Sequence, residues 1–98
     1  MTEEKSNQPK QIQIQDHLAG GEYANGMQVA HSKEEFLLTF VNIVPPTGRV
    51  VSKVQVSPGH LKRIIKVLAE NLRQYEQKFG SVTEAESLKE EIGFKPKG

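Results

Sequence analysis

Residues 57–80 read SPGHLKRIIKVLAENLRQYEQKFG, and they contain the clearest structural signals of the chain. Ser57 suits the N-cap of a helix, and Pro58 suits the first helical position, where its missing N–H costs no hydrogen bond. Gly80 suits the position just after the last helical residue. Apolar residues recur at helical spacing between these signals. The stretch therefore predicts one long amphipathic helix.

One side of this predicted helix carries large apolar residues at alternating steps of four and three. The spacing is typical of a coiled-coil seam. A helix that packs on its own sheet needs the same stripe. The two interpretations are compatible if a dimer uses the flank of the stripe. The predicted interface residues are Leu61, Ile65, Leu68, Leu72, Tyr75 and Phe79.

The chain before the helix shows the alternation of β-strands. Residues 11–15, Gln-Ile-Gln-Ile-Gln, predict a half-buried strand. Residues 23–31 predict a second strand that includes Asn25-Gly26. This pair is either a type I′ hairpin turn or a bulge inside one longer strand. We favour the bulge because the segment before Asn25 is short for a partner strand.

The predicted third strand, residues 36–44, is apolar on both faces except at Thr39 and Asn42. Such a strand is central in its sheet or covered on both sides. Residues 45–48 form a turn of two prolines, Thr47 and Gly48, and residues 50–56 alternate as a fourth strand. Because one helix covers only one face of a sheet, we expect a second copy to cover the other in a homodimer.

These signals predict an α+β fold, an antiparallel three- to four-stranded meander followed by one long amphipathic helix. Of the 98 residues, 1–10 are expected to form a disordered leader and 11–80 a single α+β domain. Residues 81–98 are expected to form a polar tail, with a possible short helix beginning at the capping pattern Thr83 to Glu86.

Composition narrows the classes of function. The net charge of +1, from 13 basic and 12 acidic residues, gives no overall field that attracts nucleic acid or an anionic membrane. The absence of cysteine excludes disulfides and thiol chemistry. No apolar run approaches the roughly 20 residues of a membrane span, and no secretory signal begins the chain. We expect a cytoplasmic protein that does not associate with membranes.

Residues with catalytic or metal-binding chemistry do not converge in the sequence. His17, His31 and His60 lack metal-ligand spacing. Neither Ser32 nor Ser57 lies in a nucleophile elbow, and capping explains both. The glycines form no dinucleotide or phosphate-binding pattern. We therefore predict no enzyme activity, no catalytic residue, no cofactor and no metal site.

One face of the predicted helix is basic, with Lys62, Lys66 and Arg73 at helical spacing. Such a stripe is able to meet phosphates, which makes nucleic-acid contacts an alternative function. We favour a solvated face, because Glu70 and Glu76 are interspersed and no aromatic platform accompanies the basic residues.

Residues 23–80 resemble an uncharacterised family of small bacterial and archaeal proteins known only as a domain of unknown function. The resemblance rests on Tyr-Ala-Asn-Gly at 23–26, His-Ser at 31–32 with Glu-Phe at 35–36, Ser-Pro at 57–58, Tyr-Glu at 75–76 and Phe-Gly at 79–80. It implies no established activity and no catalytic residues.

The sequence therefore leaves the function unknown and favours one class. We expect a non-enzymatic homodimeric module that binds an unidentified protein partner. The first alternative is a nucleic-acid-associated protein that uses the basic helix face. The second is a holdase-like chaperone that binds unfolded chains at sheet edges and apolar grooves.

Overall fold

The computed structural model describes residues 11–86, which contain three strands and one helix. The strands are β1 (Gly26–His31), β2 (Phe36–Val44) and β3 (Thr47–Val56), followed by helix α1 (Pro58–Phe79). The strands form one antiparallel sheet in the order β1-β2-β3. The predicted α+β meander followed by a helix is confirmed. The predicted leader, residues 1–10, lies outside the described residues.

Contacts within the described residues group into two compact units. The first contains residues 11–30 and 37–54, which include most of the sheet. The second contains residues 31–36 and 55–86, which include the β1–β2 connection and the helix. The candidate surface described below lies entirely in the second unit.

The strand predicted at residues 11–15 is wrong, because this segment has no secondary structure. Ile12 and Ile14 are 79% and 87% exposed. Alternation indicates which face of a strand would be buried, but a strand also needs a partner for its backbone hydrogen bonds. The sheet therefore has three strands, the lower number of the predicted range.

Asn25 lies just before β1 and uses its side chain to continue the sheet. Its amide nitrogen donates to the Ile43 carbonyl at 2.9 Å, and its amide oxygen accepts from the Ile43 N–H at 2.8 Å. Its own N–H donates to the Val41 carbonyl at 3.0 Å. Asn25-Gly26 is thus neither of the two predicted features, and β1 begins at Gly26 rather than Tyr23.

Strand β2 is the central strand, which is one of the two interpretations that its apolar faces allowed. It has the predicted bounds, and it contains Leu38, Thr39 and Val41, which are buried. No buried side-chain nitrogen or oxygen among the described residues lacks a hydrogen-bond partner. Leu38 and Val41 are the buried hydrophobic residues of this part of the chain, which makes a small core.

The hairpin between β2 and β3 is shorter than predicted. Pro45 and Pro46 form the turn, with a cis bond between them, and β3 begins at Thr47 instead of Val50. The Thr47 hydroxyl donates to the Val44 carbonyl at 3.3 Å, which ties the two strand ends together. Neither proline has an N–H to contribute to the ladder, so the paired strands end on either side of these two residues.

Helix α1 begins and ends where its sequence signals predict. The Ser57 hydroxyl accepts from the His60 N–H at 3.1 Å, so a serine caps the first turn. Gly80 has a φ of +100°, and its N–H donates to the Glu76 carbonyl at 2.8 Å. The described part of the tail, residues 81–86, is not helical, and residues 87–98 lie outside the described residues.

Candidate functional site

The apolar stripe of α1 is exposed to solvent. We call its six residues the helix seam; they are Leu61, Ile65, Leu68, Leu72, Tyr75 and Phe79. None of the residues of α1 is buried, and the exposed fractions from Ile65 onward lie between 50% and 65%. Leu61 is half-buried. The structure thus places the six predicted interface residues on one side of a helix, where five of them are at least half exposed.

The C-terminal end of the helix seam is ordered by contacts between its aromatic side chains. The Tyr75 and Phe79 rings pack at a centroid distance of 4.9 Å and an angle of 44°. The Lys78 ammonium lies 5.5 Å from the centroid of the Phe79 ring, within cation–π range. These residues are neighbours at helical spacing, so the helix alone holds the aromatic pair in place.

Beside the helix seam, α1 carries a shallow apolar groove. It is lined by His60, Arg63, Ile64, Val67 and Leu68. Val67 is 52% exposed. It lies outside the spacing of four and three residues, so the sequence pattern did not identify it as part of the apolar surface. The uncovered apolar surface is therefore wider than the six predicted residues.

The basic residues Lys62, Lys66 and Arg73 are all exposed on the same helix. The Arg73 guanidinium lies 3.0 Å from a carboxylate oxygen of Glu70, one turn earlier. Both side chains are more than half exposed, so this pair is worth less than about 1 kcal/mol. Its effect is to place a negative charge inside the predicted basic face.

One histidine and two serines that were considered as catalytic or metal-binding candidates make local contacts in the structure. His31 stacks near Phe36 with ring centroids 5.2 Å apart. The Ser32 hydroxyl accepts from the Glu34 N–H at 3.2 Å, and Ser57 caps the helix. Within residues 11–86, no three His, Cys, Asp or Glu side chains lie close enough together to hold a metal ion.

The only helix that the structure describes is also too polar to span a bilayer: α1 is long enough, but it lacks an apolar window of the required length.

The chain belongs to the family described as "Protein of unknown function (DUF3467)", whose model matches residues 1–84. The resemblance predicted from residues 23–80 is therefore confirmed, and the match extends beyond that span at both ends. No curated protein and no solved structure matches the chain. Family membership assigns no activity to the chain.

Proposed function

We propose that this protein is a non-enzymatic homodimer that serves as a module for binding a protein partner, and that two copies meet through the helix seam. One observation carries the proposal: an amphipathic helix of 22 residues leaves five of the six residues of its helix seam at least half exposed. Full burial of one large apolar side chain stabilises by about 1.5–3 kcal/mol. The seam residues are already partly covered and association has its own entropic cost, so a two-fold dimer, in which each contact occurs twice, gains only a fraction of this energy per residue.

The small core supports the same proposal. The chain has 98 residues, and a domain of this size buries only roughly 60–70% of the surface that its unfolded form exposes. Two hydrophobic residues, Leu38 and Val41, are buried in the described part of the chain. Association of two copies adds a second apolar layer without lengthening the chain.

A single charge placed in the helix seam tests the proposal. Leu72→Glu puts a carboxylate at the middle of the proposed interface, where it would be buried without a partner. Gln74→Glu is the matched control, because it adds the same charge on the opposite side of α1. Sedimentation equilibrium should give a dimer for the parent and the control and a monomer for Leu72→Glu. Equal masses for all three proteins would refute the proposal.

The nucleic-acid alternative makes a different prediction. Lys66→Glu combined with Arg73→Glu reverses two charges of the basic face. This double change should abolish nucleic-acid binding in that alternative and leave the dimer and partner binding largely intact in ours. The contact between Arg73 and Glu70 and the net charge of +1 support our proposal.

The chaperone alternative uses the edges of the sheet. Strand β1 is an edge strand and exposes Met27 and Val29 by 59% and 45%, and unpaired edges are able to accept an added strand. This alternative predicts that the protein suppresses aggregation of an unfolded client without any added ligand. Our proposal predicts no such protection.

A further inference from the structure

The residues in and beside the helix seam indicate whether the helices of two copies would pair in parallel or antiparallel orientation. Its steps assign Ile65, Leu72 and Phe79 to position a of a heptad and Leu61, Leu68 and Tyr75 to position d. Positions e and g lie beside the seam, and their charges set orientation in coiled coils. The e residues are Lys62, Ala69 and Glu76, and the g residues are Ile64, Asn71 and Lys78.

An antiparallel arrangement with its two-fold axis beside residue 70 pairs the whole helix seam. Leu61 then meets the partner's Phe79, Ile65 meets the partner's Tyr75, and Leu68 meets the partner's Leu72. Each aromatic residue thus faces an aliphatic one, which fits large against smaller side chains in the two outer kinds of layer, and leucine meets leucine next to the axis. Moving the axis by half a heptad in either direction leaves two of the six residues without a counterpart.

The residues beside the helix seam agree with the same axis. Lys62 lies opposite the partner's Glu76, and the symmetry repeats this pair, so the dimer gains two complementary charge pairs. Ala69 meets the partner's Ala69 at the axis, where a small side chain allows close approach of the helices. Ile64 lies opposite the partner's Lys78, whose aliphatic stem is able to cover the edge of the apolar groove.

A parallel pair lacks these matches. Identical residues would then meet in each layer, Tyr75 against the partner's Tyr75 and Phe79 against the partner's Phe79. Lys62 would lie opposite the partner's Ser57, and Glu76 opposite the partner's Asn71. No charge pair would form along the helix.

We infer that two copies of α1 pair in antiparallel register about residue 70, with Lys62 and Glu76 as the charges that select this direction. The inference rests on the proposed homodimer. In this dimer, α1 of one copy binds α1 of the second copy.

A charge-swap cycle tests the direction. Lys62→Glu and Glu76→Lys each place like charges opposite one another at two symmetric sites, so each should weaken the dimer by about tenfold. The double variant restores opposite charges and should regain most of that loss. Lys66→Glu is the matched control, because Lys66 lies outside the interface in this register. The dissociation constants come from sedimentation of the full chain at several concentrations.

Failure to recover in the double variant would overturn the antiparallel register. Glu76 also accepts from the Val82 N–H at 2.9 Å, and Glu76→Lys loses this bond. The double variant loses it too, so recovery is judged against Glu76→Lys alone. Lys62 and Glu76 are 14 positions apart on one helix, so no contact within a copy imitates the recovery.

Cysteine cross-linking provides a second, independent measurement, because the chain contains no cysteine. Ala69→Cys should form a disulfide across the antiparallel axis under mild oxidation, whereas Arg73→Cys, on another side of the helix, should not. A disulfide through Phe79→Cys and none through Ala69→Cys would overturn the antiparallel direction while leaving the homodimer in place. A monomeric parent chain would overturn the homodimer and the direction together.

Discussion

At the residue scale, the Asn25 side chain makes the hydrogen bonds that the backbone of a paired strand residue usually makes. Its amide exchanges two hydrogen bonds with the backbone of Ile43, the pattern that a paired residue in an antiparallel ladder makes with its main chain. The next residue, Gly26, then approaches β2 closely. The sequence presents this pair as a turn or a bulge, because its partner lies 18 residues away and nothing local indicates it.

Replacing Asn25 should lower the free energy of unfolding. Asn25→Ala removes two hydrogen bonds at an exposed site, and we expect a loss of about 1–2 kcal/mol in urea unfolding. Asn25→Asp keeps an acceptor for the Ile43 N–H and turns a carboxylate toward the Ile43 carbonyl, so it should not rescue stability. An unchanged unfolding midpoint for both variants would contradict this role.

Gly26 should tolerate no side chain. A Cβ at this position would lie 2.8 Å from the Val41 Cγ2 and 3.5 Å from the Ile43 Cδ1. Gly26→Ala should therefore destabilise the protein by about 1–3 kcal/mol. Gly21→Ala is the control, because a Cβ there meets no atom within 4 Å. Thermal unfolding that shifts equally in both variants would argue against the contact.

At the element scale, local signals predicted the bounds of α1 and β2. Ser57 and Gly80 act on their own neighbours, and two apolar faces mark a central strand wherever it lies. The failures have a different cause. Ile12 and Ile14 alternate with polar residues as in a strand, but their segment has no neighbouring strand to pair with. Strand β3 begins earlier than predicted because the turn of the hairpin contains only Pro45 and Pro46.

The Ser57 cap at the start of α1 should contribute to the free energy of unfolding. Ser57→Ala removes the acceptor for the His60 N–H, and we expect a loss of about 1 kcal/mol of unfolding free energy. Ser57→Asp retains an acceptor and should stay near the parent value. The check is urea unfolding followed by circular dichroism; a stable Ser57→Ala protein would show that the first turn does not depend on its cap.

At the scale of the whole molecule, sequence pattern alone left the helix stripe with two interpretations. A stripe at steps of four and three suits a sheet face or a second helix equally, since both are apolar. The helix seam is about half exposed or more at most of its positions, and on this exposure we base the proposal that it meets another molecule. In the proposed antiparallel dimer the charges beside it would complement a second copy, with Lys62 opposite the partner's Glu76.

Dimerisation should couple stability to concentration. Because unfolding then separates two copies, the thermal midpoint should rise as the protein concentration rises. Leu72→Glu should have a lower midpoint that does not change with concentration. Differential scanning calorimetry over a wide concentration range makes the comparison, and a constant midpoint for the parent chain would count against the dimer.

The homodimer is tested by the mass of the unmodified chain in solution, measured by light scattering behind size exclusion. The absorbance ratio at the nucleic-acid and protein wavelengths is recorded on the same run; it is sensitive because the chain has two tyrosines and no tryptophan. We predict a species free of nucleic acid with twice the 11.0 kDa of one chain. A monomer of 11.0 kDa would contradict the account, and co-eluting nucleic acid would favour the basic helix face as the functional surface instead.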